Sequence, residues 1–158
     1  MDTAVVQELH EFTIEKVTHQ TLMGAWAYVR KGLVKVKANS HAVTWTPEQV
    51  KREVVNHFLG QNGCELFLCK RGERVVGFYI MIPSFDPFLQ LNYSWTVWVM
   101  YASEPGVLDG CAEPIASAAR ERGYAAIDFI TSQDVVAKKA SKHGYKRIQV
   151  LCRKDLEY

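Results

Sequence analysis

Three kinds of residue in this chain could do chemistry: glycines beside a strand-to-helix turn, a carboxylate inside an apolar strand, and thiols. The stretch Val97-Trp98-Val99-Met100-Tyr101-Ala102-Ser103-Glu104-Pro105-Gly106-Val107-Leu108-Asp109-Gly110-Cys111 passes from an apolar run through a polar turn into an alanine-rich segment. Gly106 and Gly110 would let backbone amides approach an anion closely, and amides that open a helix favour one. The plain alternative is an ordinary strand-to-helix turn, since glycines mark turns everywhere. Asp128 stands between Ile127 and Phe129. A carboxylate so placed either serves as a base with a raised pKa, pairs with a basic neighbour, or lies at a solvated strand end. Cys111 falls where the helix is expected to start; its thiol is either acidified by the helix N-terminus or simply a small packed side chain. Ser94 and Ser132 carry hydroxyls near strand ends, but no G-x-S-x-G frame accompanies either, which argues against a serine nucleophile.

The bulk properties narrow the classes of function. A chain of 158 residues is about the size of one domain, taken as 1–158. With 48% hydrophobic and 23% charged residues it can build an ordinary core. No apolar run is long enough to cross a bilayer, and no secretory leader opens the sequence, so a cytoplasmic protein without membrane attachment is expected. A net charge of +2 is too small to argue for a nucleic-acid partner. Lys138, Lys139, Lys142, Lys146 and Arg147 gather in one stretch, either as a solvated helix face and turn or as a patch for an anionic ligand. Cys64 and Cys69 are five apart without a CxxC or histidine partner, and the histidines are scattered, so no metal site is expected. Buried free thiols fit a cytoplasmic chain.

These residues need elements to position them. Phe12–Val17 alternates apolar and polar side chains as a half-buried strand does. Gln20–Lys31 has helical spacing and meets Gly32, a natural stop. Thr46-Pro47-Glu48-Gln49 carries a capping box with proline at the first helical position, and Val50, Val54 and Phe58 follow at spacing four. Glu65–Cys69 and Val75–Ile82 form a hairpin through Lys70–Arg74. Tyr93–Tyr101 is a strand; Trp95 and Trp98, three apart on it, face opposite sides, one into the core and one toward a cleft. Glu113–Arg122 is a helix whose regular part should begin close to Pro114. Ala125–Thr131 is a strand, Gln133–Lys142 a helix with Ser132 as a possible cap, and Tyr145–Cys152 a last strand. The order is β-α-α-β-β-β-α-β-α-β, an α+β or mixed α/β domain. The Tyr93 strand and the Ala125 strand should run parallel across a helical crossover.

That order resembles the GCN5-related N-acetyltransferase (GNAT) superfamily over roughly Phe12 to Leu156. Ala118-Ala119-Arg120-Glu121-Arg122-Gly123-Tyr124 is similar to the exit of the family's central helix, and Lys142-His143-Gly144-Tyr145-Lys146-Arg147 to its "KLGF" turn. Thr44-Trp45-Thr46-Pro47 and the tryptophan-rich strand resemble small phage-encoded members. The resemblance implies a central mixed, mostly antiparallel sheet of 6–7 strands with helices on both faces. It implies acetyl-coenzyme A as cosubstrate, with no metal. The pantetheine arm would lie along the strand edge at Trp98, Val99 and Met100, where two parallel strands part. The diphosphate would meet Gly106, Val107, Leu108, Gly110 and Cys111, and Ser132 could hydrogen-bond the arm.

Two departures accompany the resemblance. The family's loop is Q/R-x-x-G-x-G/A; one frame places Tyr101 at the Q/R, Glu104 at the first glycine and Gly106 at the last, and a shifted frame places Val107, Gly110 and Ala112 there. Neither supplies the glutamine or arginine, and Glu104 would repel a diphosphate unless it points away. The tyrosine that many members use as acid is here Ala140; Tyr145 and Tyr124 are near in sequence but sit at positions that usually pack, and Asp128 and Tyr145 stand as the catalytic candidates. The implied reaction is transfer of acetyl to a primary amine by direct attack, the acceptor being a small molecule, a protein lysine or a modified base. The competing implication is a catalytically inactive GNAT-fold protein that binds a host or virion component. Monomer and homodimer both fit.

Overall fold

A computed structural model describes residues 11–40, 43–84, 93–131, 133–148 and 152–156. Five strands and four helices follow one another: β1 (Phe12–Lys16), α1 (Leu22–Ala38), α2 (Pro47–Phe58), β2 (Glu65–Arg71), β3 (Arg74–Pro83), β4 (Ser94–Ala102), α3 (Val107–Glu121), β5 (Ala126–Phe129) and α4 (Asp134–Ser141). The sheet has the order β1-β2-β3-β4-β5. The first three pairings are antiparallel and β4–β5 is parallel. Each sheet face has its own core. Val29, Leu33, Val50 and Val54 from α1 and α2 pack with Leu66, Phe78, Ile80 and Val99 on one side. Val107, Cys111, Ile115 and Ala119 from α3 pack with Phe67, Tyr79, Trp95 and Val97 on the other. A mixed α+β sheet covered on both faces is therefore the architecture. Among the described residues no helix is long and apolar enough to cross a membrane.

Local chemistry sets the element ends. At α2 the Gln49 N–H donates to Thr46 Oγ1 (3.2 Å) and the Thr46 N–H donates to Gln49 Oε1 (2.8 Å), so the capping box is closed. Gly72 makes the β2–β3 turn at φ +61°. The exit of α3 is fixed by Glu65, which is 8% exposed at the start of β2. Arg122 donates to both its oxygens at 2.9 Å, and Lys16 lies 3.0 Å away. The same guanidinium sits 5.3 Å from the Phe67 ring and 5.0 Å from Trp95, and Trp95 stacks on Tyr124 at 5.5 Å.

Three expectations are corrected. The described residues give five strands rather than six or seven: Tyr145–Ile148 carries no strand, Cys152 lies outside one, and residues 149–151 lie outside the described set. Gly32 does not stop α1. The helix runs on to Ala38, and Gly32 is buried in it where a Cβ would stand 2.5 Å from Phe78 Cε1 and 2.6 Å from Tyr101 Cδ1. This glycine permits close helix–sheet approach instead of marking an end. Finally, α3 begins at Val107, and Pro114 is interior. Proline removes the bond to the Gly110 carbonyl. The preceding turns hold nonetheless, because Val107 and Cys111 are fully buried and Gly110 abuts the Phe12 ring.

Candidate active site

The site begins where two parallel strands part. β4 and β5 pair from Ser94↔Ala126 to Val97↔Phe129 and no further. Beyond that point β4 keeps β3 as neighbour from Val99 to Ala102 but has no β5 partner. The register against β3 jumps from Met81↔Val97 to Ile80↔Val99, so Trp98 is an extra, bulged residue. The bulge changes which side chains face which core. Trp95 and Val97 face the α3 side, whereas Trp98, Val99 and Tyr101 face the α1–α2 side and Met100 the α3 side. A wedge thus opens beside Trp98–Ala102, with an unzipped strand edge on one flank and Ile130–Thr131 beyond the end of β5.

The wedge leads to the N-terminus of α3. Gly106 precedes the helix at φ +82°, a left-handed conformation suited to glycine. The Gly110 N–H already donates to the Gly106 carbonyl at 2.9 Å. The amides of Val107, Leu108 and Asp109 come before that first helical bond and have no intrahelical acceptor. Glu104 is turned into a charge cluster, with its carboxylate 3.1 Å from Arg71 Nη1 and 3.2 Å from Arg74 Nη1. Its repulsion toward an anion at the helix end is thereby offset. Tyr28 of α1 donates to Ser103 Oγ (2.9 Å), and Ser103 donates to the Val76 carbonyl (3.0 Å), tying the loop to helix and sheet. His143, after α4, reaches Asp109 in the first turn of α3 at 2.7 Å.

Gly110 and Cys111 turn away from this loop. A Cβ on Gly110 would run into the Phe12 ring, and Cys111 is fully buried against Cys69. The hydrogen bond between the thiols lowers Cys111, against the effect of burial, and raises Cys69, where burial adds to it. With the Gly110 N–H taken by the Gly106 carbonyl and both residues inside the helix, neither is placed to meet a diphosphate as the amides of Val107, Leu108 and Asp109 are. Ser132 lies outside the described residues.

Asp128 pairs in register with Thr96. Ser94 Oγ donates to its Oδ2 at 2.5 Å, and Thr96 Oγ1 donates to its Oδ1. These two hydroxyls, on alternate residues of β4, fix the carboxylate over the sheet just before the wedge. Tyr145 packs edge-on against Phe129 at 5.2 Å. Burial raises its phenol above the ordinary value, and the charge of Asp128 adds to the effect. It is also within electrostatic range of Tyr79, whose hydroxyl donates to the Leu108 carbonyl in α3 at 3.4 Å. Asp128 and Tyr145 thus both lie near the end of β5, but on different faces: Asp128 shares the face of Ser94 and Thr96, and Tyr145 packs on Phe129 of the α3 side, protonated at neutral pH.

On the α1–α2 side, a cavity of about 480 Å³ is lined by Trp45, Glu53, Asn62, Cys64, Ile82 and Trp98, among others. Trp98 thus belongs to both wedge and cavity. Trp45 meets it edge-on at 6.5 Å. Burial, with the charges of Glu53 and Glu65, pushes the Cys64 thiol up to about 12. It stays protonated near neutrality, which disfavours an acyl-cysteine route. Sequence reasoning misses Glu53 and Asn62, and also Arg71 and Arg74 beside Glu104. Asn62 follows the end of α2 by a few residues, and a capping-prone asparagine before a strand is the one available signal. For the arginines no local pattern shows a partner about thirty residues away.

No protein-family model and no curated protein matches the sequence. Solved structures do match it. A protein described as a probable acetyltransferase is 21% identical with a TM-score of 0.66, over 92% of this chain and 97% of that one. The fold is that of known acetyltransferases. A predicted acetyltransferase from Clostridium acetobutylicum, solved with acetyl-CoA, has TM-score 0.67 at 12% identity over 91% of this chain and 96% of that one. An aminoglycoside acetyltransferase from an uncultured soil metagenomic sample, in complex with sisomicin, has TM-score 0.63 at 11% identity, covering 94% and 98%.

Proposed function

We propose that the protein is an acetyl-CoA-dependent N-acetyltransferase acting on a primary amine. The observation that carries this is the early end of the β4–β5 ladder at Val97↔Phe129 with a bulge at Trp98. It leaves a strand edge without a partner among the described residues, leading toward helix amides that have no intrahelical acceptor. An amide-bearing chain can pair with the edge at Trp98, Val99 and Met100, and a diphosphate can accept from the amides after Gly106. The residues present fit acetyl-CoA on these grounds, and the ion pairs of Glu104 remove the main electrostatic objection. The missing glutamine or arginine of the loop is matched by backbone donors alone.

When bound, acetyl-CoA supplies a thioester whose C–S bond breaks as the amine nitrogen bonds to the acetyl carbon. The chain's own contribution is positional and electrostatic. The N–H groups along the bulged edge polarise a carbonyl laid against them. Asp128, held by Ser94 and Thr96, takes the surplus proton of the acceptor ammonium, directly or through water. Tyr145, kept as a phenol by burial, gives a proton to the departing sulfur, recovers the second proton lost by the acylated nitrogen, and stands in for the tyrosine replaced by Ala140. The acetyl-CoA complex of one structural neighbour supports this reading, and the sisomicin complex of the aminoglycoside acetyltransferase is consistent with an amine acceptor.

Thermal unfolding with added acetyl-CoA tests the proposal. At a hundredfold its Kd, the ligand should stabilise the protein by about 2.7 kcal/mol. A flat response, with acetyl-CoA and CoA alike, would favour the second reading: a GNAT-fold binding protein, which the absent loop residue and Ala140 support. Tyr145→Phe should lower kcat and leave this stabilisation unchanged.

A further inference from the structure

The cavity beside Trp98 has a charge arrangement that the transfer reaction does not require. Glu53 is its half-buried acidic group. Asn62 Nδ2 donates to Glu53 Oε2 at 2.9 Å and to the Glu53 carbonyl at 3.0 Å. The Asn62 side-chain oxygen is itself occupied, accepting from the Cys64 N–H at 3.0 Å, and the Asn62 carbonyl lies 2.9 Å from His57 Nδ1. The asparagine thus orients one oxygen of Glu53, and Oε1 makes no hydrogen bond or ion pair among the described residues. A carboxylate in a cavity wall, anchored by one oxygen and with the other lacking a partner among the described residues, is a preorganised cation acceptor. The walls agree with this. Trp45 and Trp98 meet edge-on there, and indole faces attract cations and cover apolar linkers. Arg52 also borders the cavity, but it is exposed and its charge is in water.

We propose that this cavity takes a second positive charge on the acceptor: the substrate is a diamine-like molecule whose distal ammonium binds Glu53 while the other amine reaches the transfer point at Trp98. The acetyltransferase reading is needed for the second amine only. Recognition of the distal cation needs the cavity alone. Glu53 is then a specificity-determining residue, placed away from Asp128 and Tyr145.

Calorimetric titration of the purified protein tests this, with and without saturating CoA. The probes are 1,5-diaminopentane, 1-aminopentane and lysine. The diamine should bind about tenfold or more tightly than the monoamine, as a charge-assisted contact in a partly screened cavity provides. Glu53→Gln, which keeps an acceptor for Asn62, should erase that preference while CoA still raises the melting temperature. Arg52→Gln should leave diamine affinity unchanged or improve it. In the unaltered protein the preference should shrink as salt rises, a test that stands even if the Glu53→Gln variant folds poorly. Equal affinities for the diamine and monoamine, or a preference that survives in Glu53→Gln, would overturn the proposal. So would lysine binding best and losing affinity in Arg52→Gln, which would assign the cavity to a carboxylate. Diamine preference without any CoA response would leave the cavity assignment standing and remove the transferase reading.

Discussion

Two glycines in α1 should respond to the same substitution with opposite signs. At Gly32 an added Cβ meets Phe78 Cε1 at 2.5 Å, Tyr101 Cδ1 at 2.6 Å and Tyr101 Cγ at 3.0 Å. At Gly24 it meets nothing within 4 Å. Replacing helical glycine by alanine gains up to about 1 kcal/mol from backbone entropy, and less near a helix end such as Gly24. Gly24→Ala should therefore stabilise by roughly 0.5–1 kcal/mol. At Gly32 the gain competes with overpacking, which typically costs about 1–3 kcal/mol. The upper part of that range applies. Phe78 is fully buried, and its ring is boxed by Tyr101 at 5.7 Å and Tyr28 at 6.5 Å, so the rings have little room to retreat. Gly32→Ala should then destabilise by about 1–2 kcal/mol net. The variants should differ by roughly 2 kcal/mol, or about 4–8 °C in Tm for a chain of this size. Urea unfolding at constant m-value is the assay. If Gly32→Ala were as stable as Gly24→Ala, α1 would not lie against the sheet as closely as described. The placement of Tyr101 and Ser103 under it would then lose its basis.

Other outcomes follow from particular contacts. Burial pushes the Glu65 carboxyl up, but hydrogen bonds and charge from Arg122 and Lys16 outweigh it and hold the group below its ordinary value. A depressed folded pKa contributes stability above the unfolded value and loses it as pH falls through the folded one. Glu65→Gln should therefore cost most near neutrality, and its stability gap to the unaltered protein should close below about pH 4; a gap independent of pH would contradict this. Thr46→Ala should cost about 1 kcal/mol through loss of the capping box, measured by the same urea transitions. Cys64, Cys69 and Cys111 are buried and Cys152 is exposed. One thiol should therefore react fast with Ellman's reagent in the native state, and the other three only on unfolding.

Most of the element order is legible from local signals. Capping chemistry locates α2 at Pro47, and the glycine turn locates the β2–β3 hairpin, because both depend on neighbours within a few residues. Where an element's fate rests on distant packing, local rules mislead. Gly32 looks like a stop and is a contact point for Phe78 and Tyr101. Pro114 looks like a start, yet α3 opens at Val107 because its first turns are buried. The site divides in the same way. Trp98 and the Gly106 turn are legible from strand alternation and turn chemistry. The Trp98 bulge is not, since it exists only in register with Ile80 and Met81. Nor are the anchors of Asp128, the partners of Glu104, or the pairing of Glu53 with Asn62, each of which joins separate segments.

The central claim is that the gap beside Trp98–Ala102 receives the pantetheine arm of coenzyme A. Its most direct test is a crystal structure of the protein with CoA. The arm should lie alongside Trp98, Val99 and Met100, with the diphosphate over the amides of Val107–Asp109. Strands β4 and β5 zipped together past Phe129, or CoA seated elsewhere on the protein, would contradict it.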